Sequence, residues 1–443
     1  MNRLLAFVLL IACLIQISTA QDSRSMSGGS ARHISLGGGP INPYLVDVSR
    51  VHVNPALLGR FANFMWADIG YLRTDASGQV SNFGGGMFQY AGTNVRLGKG
   101  WTVAVILNKR EGALFTMDPG AGVDPTSGAR DPISTVNAAG LGIGRPMSPV
   151  ELGASLSATD DLALGLSASV AGWSDRASST GGTTNVSSKV TAFKAGASYQ
   201  FGSGRMLDGA LVLRLNDMDF STSANGANPS SAKMNNGVEL AGDARLIWEL
   251  DDEWSLLPIA RFYSFGWGPE IASLPPQSVN PPDEFTRTEY EVGLGTNYKT
   301  DKVLLVGGVS LHSVSSEWRH RVMQVSKVTT TEMDLPKINM GIEFSLIDWL
   351  IARAGYFKRL SSVETKNESG TSSTHETSRE LPYYGDPNGL SESQQAFTLG
   401  VGVHFSGFSL DGTIAEGYFI NGPWVLSGQP QSLFGVVSMH YMW

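Results

Sequence analysis

The feature that most constrains the fold of this chain is a two-residue alternation of apolar and polar side chains, which recurs along most of its length. Between Leu162 and Val170 every even-numbered residue is apolar, while glycine or serine fills three of the four positions between them. A period of two is typical of a β-strand with one apolar face. The alternation therefore predicts an all-β protein.

Charged side chains occupy the second face of several of these strands. In the segment 236–249, for example, Val238, Leu240 and Trp248 share the apolar face. The charged residues on such polar faces include Glu239, Asp243, Arg245, Glu249, Arg287, Glu289 and Glu291. A soluble sandwich has no core for so many apolar faces, whereas in a membrane barrel they meet lipid and the polar faces line the lumen. We expect these seven residues to form a polar lumen wall and to pair across the interior, because buried charges need partners.

The connections between the strands alternate in length. Short ones lie at 98–100, 159–161, 202–206, 251–253, 300–301, 347–348 and 406–407, and long ones near 111–135, 221–235, 267–285 and 363–392. Short turns on one side and long loops on the other are typical of an outer-membrane barrel whose turns face the periplasm. This predicts a transmembrane antiparallel β-barrel of roughly 14–16 strands in the cell outer membrane, in contact with its lipid.

We predict strands at 64–73, 85–97, 100–110, within 136–158, 162–173, 188–201, 208–220, 236–249, 254–266, 286–299, 302–316, 333–345, 348–362, 394–405, 408–420 and 432–443. Pro146 and Pro149 interrupt the fourth of these segments. Because proline cannot donate to a sheet, this segment is either a kinked strand or a loop folded into the lumen.

The N-terminus has the pattern of an export signal. An apolar run from Leu4 to Ile15 is too short to span a bilayer as a helix, which needs about 20 residues, and small residues follow it up to Ala20. A competing interpretation makes Cys13 the lipidated residue of a lipoprotein. We expect three parts: a signal peptide at 1–20, a hatch or plug at 21–63 and the barrel at 64–443.

Composition excludes several classes of function. A net charge of −8 with scattered basic residues argues against a nucleic-acid partner. Cys13 is the only cysteine, so removal of the signal would leave no thiol or disulfide chemistry. None of the seven histidines has a metal-binding spacing, and no cofactor is expected. Ser310 and His312 lie two residues apart, which does not establish a catalytic triad, so the chain is not predicted to be an enzyme.

The last strand ends on an alternating apolar series. The series comprises Val437, Met439, Tyr441 and the terminal Trp443. Such a tail is typical of the signal that barrel-assembly machinery recognises in outer-membrane proteins, and we expect Trp443 to lie beside the first strand.

The tryptophans also sort with turn length. Those at the short-turn ends are Trp66, Trp101, Trp248, Trp254, Trp349 and Trp443, and those at the opposite ends are Trp173, Trp267 and Trp318. They either form two aromatic girdles at the headgroup levels or follow a general preference for half-buried strand ends.

One basic cluster lies at a predicted outer strand end, at 317–321. There Arg319 and Arg321 would either bind lipopolysaccharide phosphates or belong to a solvated charge cluster.

Residues 21–63 lack the strand alternation. They contain Ala31 and Arg32, then LGGG at 36–39, VDVS at 46–49 and NPALL at 54–58. This order resembles the N-terminal signature of the FadL-type long-chain fatty-acid transporter superfamily, which includes the PorV-type barrels of the type IX secretion system. The match covers about 30 residues. The family commonly has two adjacent acids where this chain has Val46 and Asp47, and it usually has fewer strands.

The resemblance implies that the N-terminal segment folds into the barrel as a hatch. Its motif residues would be Asp47, Ser49, Asn54, Pro55, Ala56 and Leu57. It also implies a channel for hydrophobic molecules such as long-chain fatty acids, which enter from outside and leave through a lateral gap in the wall. The alternative is a PorV-like secretion component that binds or shuttles exported proteins, and a purely structural plug is a further possibility.

Overall fold

The computed structural model describes most of the barrel and much of the segment that precedes it. The described residues are 29–37, 42–45, 47, 50–51, 53–70, 73–74, 80–81, 88–98, 100–110, 147–179, 182–202, 204–224, 230–267, 270–273, 284–320, 326–369, 372–379, 395–414 and 434–443. The predicted signal peptide, Ser49, Arg321 and the predicted loop 111–135 lie outside them.

Sixteen antiparallel strands form the barrel, as the alternation predicts. In chain order they are β1 (Phe64–Gly70), β2 (Phe88–Arg96), β3 (Trp101–Arg110), β4 (Met147–Ser157), β5 (Leu162–Ser179), β6 (Gly182–Gln200), β7 (Arg205–Ala224), β8 (Ser230–Glu249), β9 (Trp254–Trp267), β10 (Glu284–Lys299), β11 (Val303–His320), β12 (Ser326–Ile347), β13 (Leu350–Ser369), β14 (Gln395–Phe405), β15 (Phe408–Ile414) and β16 (Phe434–Met442).

Short accessory strands extend the sheet at two places. Glu270–Ser273 pairs with β8, and Ser372–Arg379 pairs with β13. A separate small hairpin joins Arg73–Thr74 to Val80–Ser81.

The first and last strands close the barrel on each other. Phe64 lies opposite Met442, and the register continues to Gly70 opposite Val436. The backbone N–H of Trp443 donates to the carbonyl of Asn63 at 3.2 Å. The expectation that the chain ends beside its first strand is therefore confirmed, and closure leaves no unpaired edge between these two strands.

The outer face of the barrel is apolar. Exposed large side chains on it include Leu152, Leu166, Leu211, Leu294, Met340 and Phe397. A continuous belt of this kind is costly in water and favourable in lipid, whereas the alternate positions point into a polar lumen. The structure is thus the transmembrane all-β barrel that the alternation predicts.

The tryptophan girdle is only partly as expected. Trp101, Trp248, Trp254 and Trp349 are exposed at the short-turn ends of their strands. Trp66 is only 5% exposed and faces inward, stacked on Phe64 at 5.6 Å. Its assignment to the girdle was wrong, because β1 directs its even-numbered residues into the lumen. The side chains of Trp173, Trp267 and Trp318 lie outside the described set.

Several strands continue beyond the predicted ends. A strand spans the bilayer with about 9–11 residues, whereas β5 to β13 contain 14 to 22. Two of the predicted long loops are therefore β-strand over much of their length, and the prediction of loops there was wrong. Residues 221–224 and 230–235 belong to β7 and β8, and residues 363–369 belong to β13, which pairs with the accessory strand Ser372–Arg379. Outside the bilayer neither face must be apolar, so these extensions lack the alternation that marks a strand.

The proline-interrupted segment is a strand in its described part. β4 contains Pro149, and its pairing with β5 shifts register between Met147 and Val150. This agrees with the kinked-strand interpretation, because a bulge accommodates the missing donor of proline. Residues 136–146 lie outside the described set.

Candidate functional site: the lumen floor

A segment before the first strand crosses the interior of the barrel. We call the described part of residues 29–61 the floor segment. It contains helix α1 (Ser30–Ser35) and a 3₁₀ helix (Pro55–Gly59). Neither helix has the length or the run of apolar residues that would let a helix cross a membrane. Its described residues are almost all buried.

The floor segment contacts three sectors of the wall. Helix α1 packs against β13 to β16, and the 3₁₀ helix packs against β3 to β6. Between them, Tyr44 lies against Gly293 and Gly295 of β10 and Gly308 of β11. Because these strands lie around different parts of the barrel, the segment is held across the bore rather than along one side.

The Asn-Pro-Ala element forms a capped turn seated on the wall. The Asn54 side-chain oxygen accepts from the backbone N–H of Ala56 at 3.0 Å and caps the 3₁₀ helix, whose first residue is Pro55. The Asn54 amide nitrogen donates to the carbonyl of Ala197 at 3.0 Å. The motif residues Ala56 and Leu57 are buried beside it.

Glycines of the wall make room for this turn. A Cβ on Gly165 would lie 2.3 Å from the backbone nitrogen of Ala56, and one on Gly196 would lie 2.0 Å from Asn54 Oδ1. Any larger residue would push the floor away from β5 and β6. Glycine in an inward position otherwise weakens a strand, so the close approach of the floor explains its presence.

Apolar contacts complete this side of the floor. Val51, Leu57, Leu58 and Phe61 pack with residues of β1 and β3 in one cluster. A second cluster joins Leu36, Tyr44 and Leu45 to inward residues of the wall. The floor thus has small apolar cores of its own inside a largely polar lumen.

One charged cluster fixes α1. The Arg32 guanidinium donates to Glu343 of β12 at 2.9 and 3.2 Å and to Asp47 at 3.3 Å. Asp47 also accepts from His33 Nε2 at 2.8 Å. Since His33 Nδ1 accepts from the backbone N–H of Asn42, its ring proton lies on Nε2 and points at the carboxylate. Asp47 therefore accepts from both Arg32 and His33. The second acid that is common in the FadL-type pattern is absent from this chain.

A second cluster fixes the middle of the floor. Arg50 pairs with Asp243 of β8 and lies 3.5 Å from Asp208 of β7. Arg245 donates to Asp208 at 2.7 Å and to the carbonyl of Pro43 at 3.2 Å. Two residues predicted as lumen wall, Asp243 and Arg245, thus bind the floor as well as neighbouring strands.

Four of the other five predicted wall residues pair with further residues of the wall. Glu291 accepts from Arg261 at 3.1 Å and from Lys337 at 3.2 Å, Arg287 pairs with Glu289, and Glu239 pairs with Arg214. Glu249 instead lies exposed at the short-turn end of β8. The wall is largely a set of ion pairs, whose mutual pairing offsets their desolvation.

Ser310 and His312 do not form a catalytic pair. The Ser310 hydroxyl donates to Glu291 at 2.8 Å, while His312 contacts Asp334 at 3.0 Å and Glu289 at 3.4 Å. Within the described residues no group of His, Cys, Asp and Glu is arranged to hold a metal ion.

The outer basic cluster is paired in its described part. Arg319 lies 3.0 Å from Glu317 and 3.7 Å from Glu284, and Lys327 lies 2.8 Å from Glu317. The hydrogen bond from Lys327 holds the pKa of Glu317 below its usual range. This arrangement agrees with the solvated charge cluster.

The sequence did not identify two wall partners of the floor, Asp208 and Glu343. Both occupy polar alternate positions of predicted strands. Their polar alternate positions were the signal in the sequence that could have identified them as lumen residues. Their roles depend on which floor residue passes nearby, which the alternation does not contain.

Comparison with known proteins gives distant likenesses only. No family model and no curated protein matches the chain. Among solved structures, it is similar to the CymD monoaromatic hydrocarbon channel, with 11% identity, 96% of this chain and 99% of the other covered, and a TM-score of 0.36. The Pseudomonas putida toluene transporter TodX is 11% identical, with 94% of this chain and 96% of the other covered and a TM-score of 0.36. A Pseudomonas aeruginosa FadL homologue is 11% identical, with 94% of this chain and 99% of the other covered and a TM-score of 0.36. Scores at this level assign no ligand to the chain.

Proposed function

We propose that this chain is an outer-membrane channel for the uptake of hydrophobic molecules and that the floor segment is its hatch. The observation that carries the proposal is the attachment of this segment to three sectors of the wall. A segment fixed in this way obstructs straight passage along the bore. The resemblance of residues 31–58 to the FadL-type signature supports the same function.

The charged interior favours a lateral exit for an apolar molecule. Arg50, Asp208, Asp243, Arg245 and Glu343 are buried in and around the floor. Displacing such ions from their partners costs about 3–5 kcal/mol for each broken pair, and an apolar molecule offers nothing in return. Leaving sideways into the bilayer avoids that cost, so the floor directs the molecule to the wall.

The outer face of the barrel and its last strand support a location in the outer membrane. The apolar belt provides the contact with outer-membrane lipid. The terminal series from Val437 to Trp443 would be presented to the barrel-assembly machinery before closure. Val437, Met439 and Tyr441 lie on the lipid face of β16, while Ser438 and His440 point inward.

A PorV-like role in protein secretion is the second candidate, and one observation favours it. The strands β5 to β13 extend well past the length needed to cross the bilayer. Their outer parts form a projecting wall with paired charges such as Glu317 and Lys327. A projecting polar wall suits contact with an exported protein better than capture of an apolar molecule.

Uptake of radiolabelled oleate separates the two candidates. Cells lacking the gene would be complemented with the wild-type chain, with Glu343→Gln, which loosens the floor, or with the matched control Glu317→Gln on the projecting wall. For a hydrophobic channel, uptake falls on deletion, returns with wild type and Glu317→Gln, and changes with Glu343→Gln.

Unchanged uptake on deletion would sink the transport proposal. Loss of proteins from the secreted fraction in the same deletion strain, with restoration by the wild-type chain, would then support the secretion role.

A further inference from the structure

The seam that closes the barrel carries a buried polar pair on its inner side. Asp68 of β1 lies directly opposite Ser438 of β16 in the register of these two strands. Both side chains point into the lumen and are buried. The seam is also short, because β1 has seven residues whereas β12 has 22. Contacts from inside the barrel therefore matter more here than between the long strands.

Helix α1 binds both members of this pair. The backbone N–H of Ser30 donates to Asp68 Oδ2 at 3.1 Å, and the Ser30 hydroxyl donates to the same oxygen at 2.6 Å. The next backbone N–H, that of Ala31, donates to Ser438 Oγ at 3.0 Å. The first N–H groups of a helix have no partner within the helix, and Gly29 before α1 supplies no side-chain cap. The two strands of the seam take the place of that cap.

The chain before α1 lies close against β16. Gly29 has a φ of +95°, and a Cβ on it would lie 2.7 Å from Ser438 Cβ and 2.9 Å from His440 Nε2. Glycine is the residue that adopts this conformation without strain. The space between Gly29 and β16 is therefore just large enough for the serine side chain at 438.

The alternation of apolar and polar residues does not determine the register of this seam by itself. A slip of one residue would turn the apolar face of β16 into the lumen, but a slip of two residues keeps both faces. The inward residues of β16 are Val436, Ser438 and His440. A two-residue slip would place Val436 or His440 opposite Asp68. Valine cannot accept from the N–H of Ala31, and the histidine ring is too large for the space beside Gly29.

The two contacts of α1 differ greatly in sequence separation. Ser30 and Asp68 lie 38 residues apart, whereas Ala31 and Ser438 lie 407 apart. The shorter loop costs less entropy to close, so α1 can dock on β1 before β16 arrives. The last strand then meets an edge made of β1 and α1 together.

We propose that α1, docked on β1, is an internal template that receives β16 and fixes the register in which the barrel closes. In a closed barrel the stagger of the strands must match their number and tilt, so the closing pair has to be correct to the residue. This function belongs to assembly, and it does not require that the barrel transports hydrophobic molecules.

Disulfide cross-linking of the full-length chain in outer-membrane fractions measures the register. Ala67→Cys with Met439→Cys reports the native pairing, since these residues are directly opposite on the lipid side. Ala67→Cys with Val437→Cys or Tyr441→Cys reports a slip of two residues. Opposite Cβ atoms lie about 5 Å apart, whereas diagonal neighbours lie about 7–8 Å apart, beyond the reach of a disulfide. In the wild-type background the native pair should cross-link at least tenfold more than either slipped pair.

Gly29→Ala lifts α1 from β16 without changing any residue of the seam. We expect it to lower the native cross-link at least threefold and to raise the slipped ones. Gly165→Ala is the matched control, because it makes the same substitution at another close approach of the floor, on β5. It should leave all three yields unchanged. A Leu213→Cys and Leu240→Cys pair, opposite each other on β7 and β8, should cross-link equally in every background.

Three results would overturn the template. The first is a wild-type native yield in Gly29→Ala. The second is an equal loss in Gly165→Ala, which would make the effect one of the whole floor. The third is loss of the native cross-link with no rise of the slipped ones, which would show that the seam opens without changing register.

A milder variant covers general unfolding. If the pair between β7 and β8 is also lost in Gly29→Ala, Ser30→Ala decides by the same yields, because it removes only the hydroxyl contact to Asp68. We expect it to lower the native yield about twofold in favour of the slipped pairs, and an unchanged ratio would reject the template. Oleate uptake enters none of these measurements, so failure of the template and failure of the transport proposal are distinguishable.

Discussion

Arg32 of the floor donates to Glu343 of the wall at 2.9 Å, across 311 residues of sequence. The same carboxylate accepts from Arg353 at 2.6 Å, and Arg353 in turn lies 2.6 Å from Asp411. Glu343 thus bridges Arg32 of α1 and Arg353 of the wall, in addition to the hydrogen bonds that join α1 to Asp68 and Ser438. Its removal is the sharpest way to loosen the floor without altering its packing.

Glu343→Gln should increase the ion conductance of the barrel. Breaking a buried ion pair by removing one partner costs about 3–5 kcal/mol, because Arg32 and Arg353 are left without this carboxylate. We expect the floor to open more often and single-channel current in planar bilayers to rise. Glu317→Gln, with the same chemical change on the projecting wall, should keep wild-type conductance. An unaltered current in Glu343→Gln would contradict a closing role for this contact.

Gly165→Ala should displace the Asn54–Pro55 turn. The new Cβ would stand 2.3 Å from the backbone of the floor, and backbone on both sides leaves no flexible group to move. Because Cys13 is the only native cysteine, a Leu57→Cys background provides a reporter whose maleimide labelling should become faster in Gly165→Ala.

Gly307→Ala is the matched control for this experiment. A Cβ at Gly307 would have only Thr296 Cγ2 near it, at 3.8 Å, which is ordinary contact. Labelling should match the background there. Equal labelling rates in the Gly165 and Gly307 variants would show that the floor does not need this close approach.

Tyr44→Ala should lower the free energy of unfolding of the barrel by about 3–5 kcal/mol, the usual effect of removing a buried aromatic side chain. Tyr44 is fully buried, and the glycines that receive its ring cannot fill the space left behind. Urea titration followed by tryptophan fluorescence measures the change. Tyr44→Phe should retain most of the stability, and Tyr290→Ala, at a position 58% exposed on the lipid face, should cost far less. A loss as large at Tyr290 would argue against a specific seat for Tyr44.

Trp443→Asp should reduce the amount of assembled barrel on a heat-modifiability gel. Trp443 stacks on Tyr441 at 6.1 Å and ends the strand that closes on β1. Trp101→Asp introduces the same charge at the same end of the barrel, but in an internal strand. If both variants assemble equally poorly, the effect belongs to the membrane interface and not to a terminal assembly signal.

The barrel itself was predictable from local pattern, and its exceptions have physical causes. The alternation located fifteen of the sixteen strands, because lipid outside and polar lumen inside impose opposite requirements on neighbouring residues. It left the fourth segment as either a kinked strand or a loop in the lumen. It missed the outer parts of β7, β8 and β13, where both faces are polar and backbone pairing alone maintains the strand. It also placed Trp66 in the girdle, since composition at a strand end does not say which way the first side chain points.

The sequence by itself determined the architecture, the polar face of each strand and the segment that does not belong to the wall. Only the tertiary structure decided which charges meet. Asp243 was predicted to line the lumen, but its pairing with Arg50 depends on the path of the floor. The glycines at 165 and 196 are ordinary strand glycines until the Asn54–Pro55 turn is seated on them. Alternation is a local response to lipid and water, whereas these contacts join residues more than a hundred positions apart and arise only once the barrel has closed around its floor.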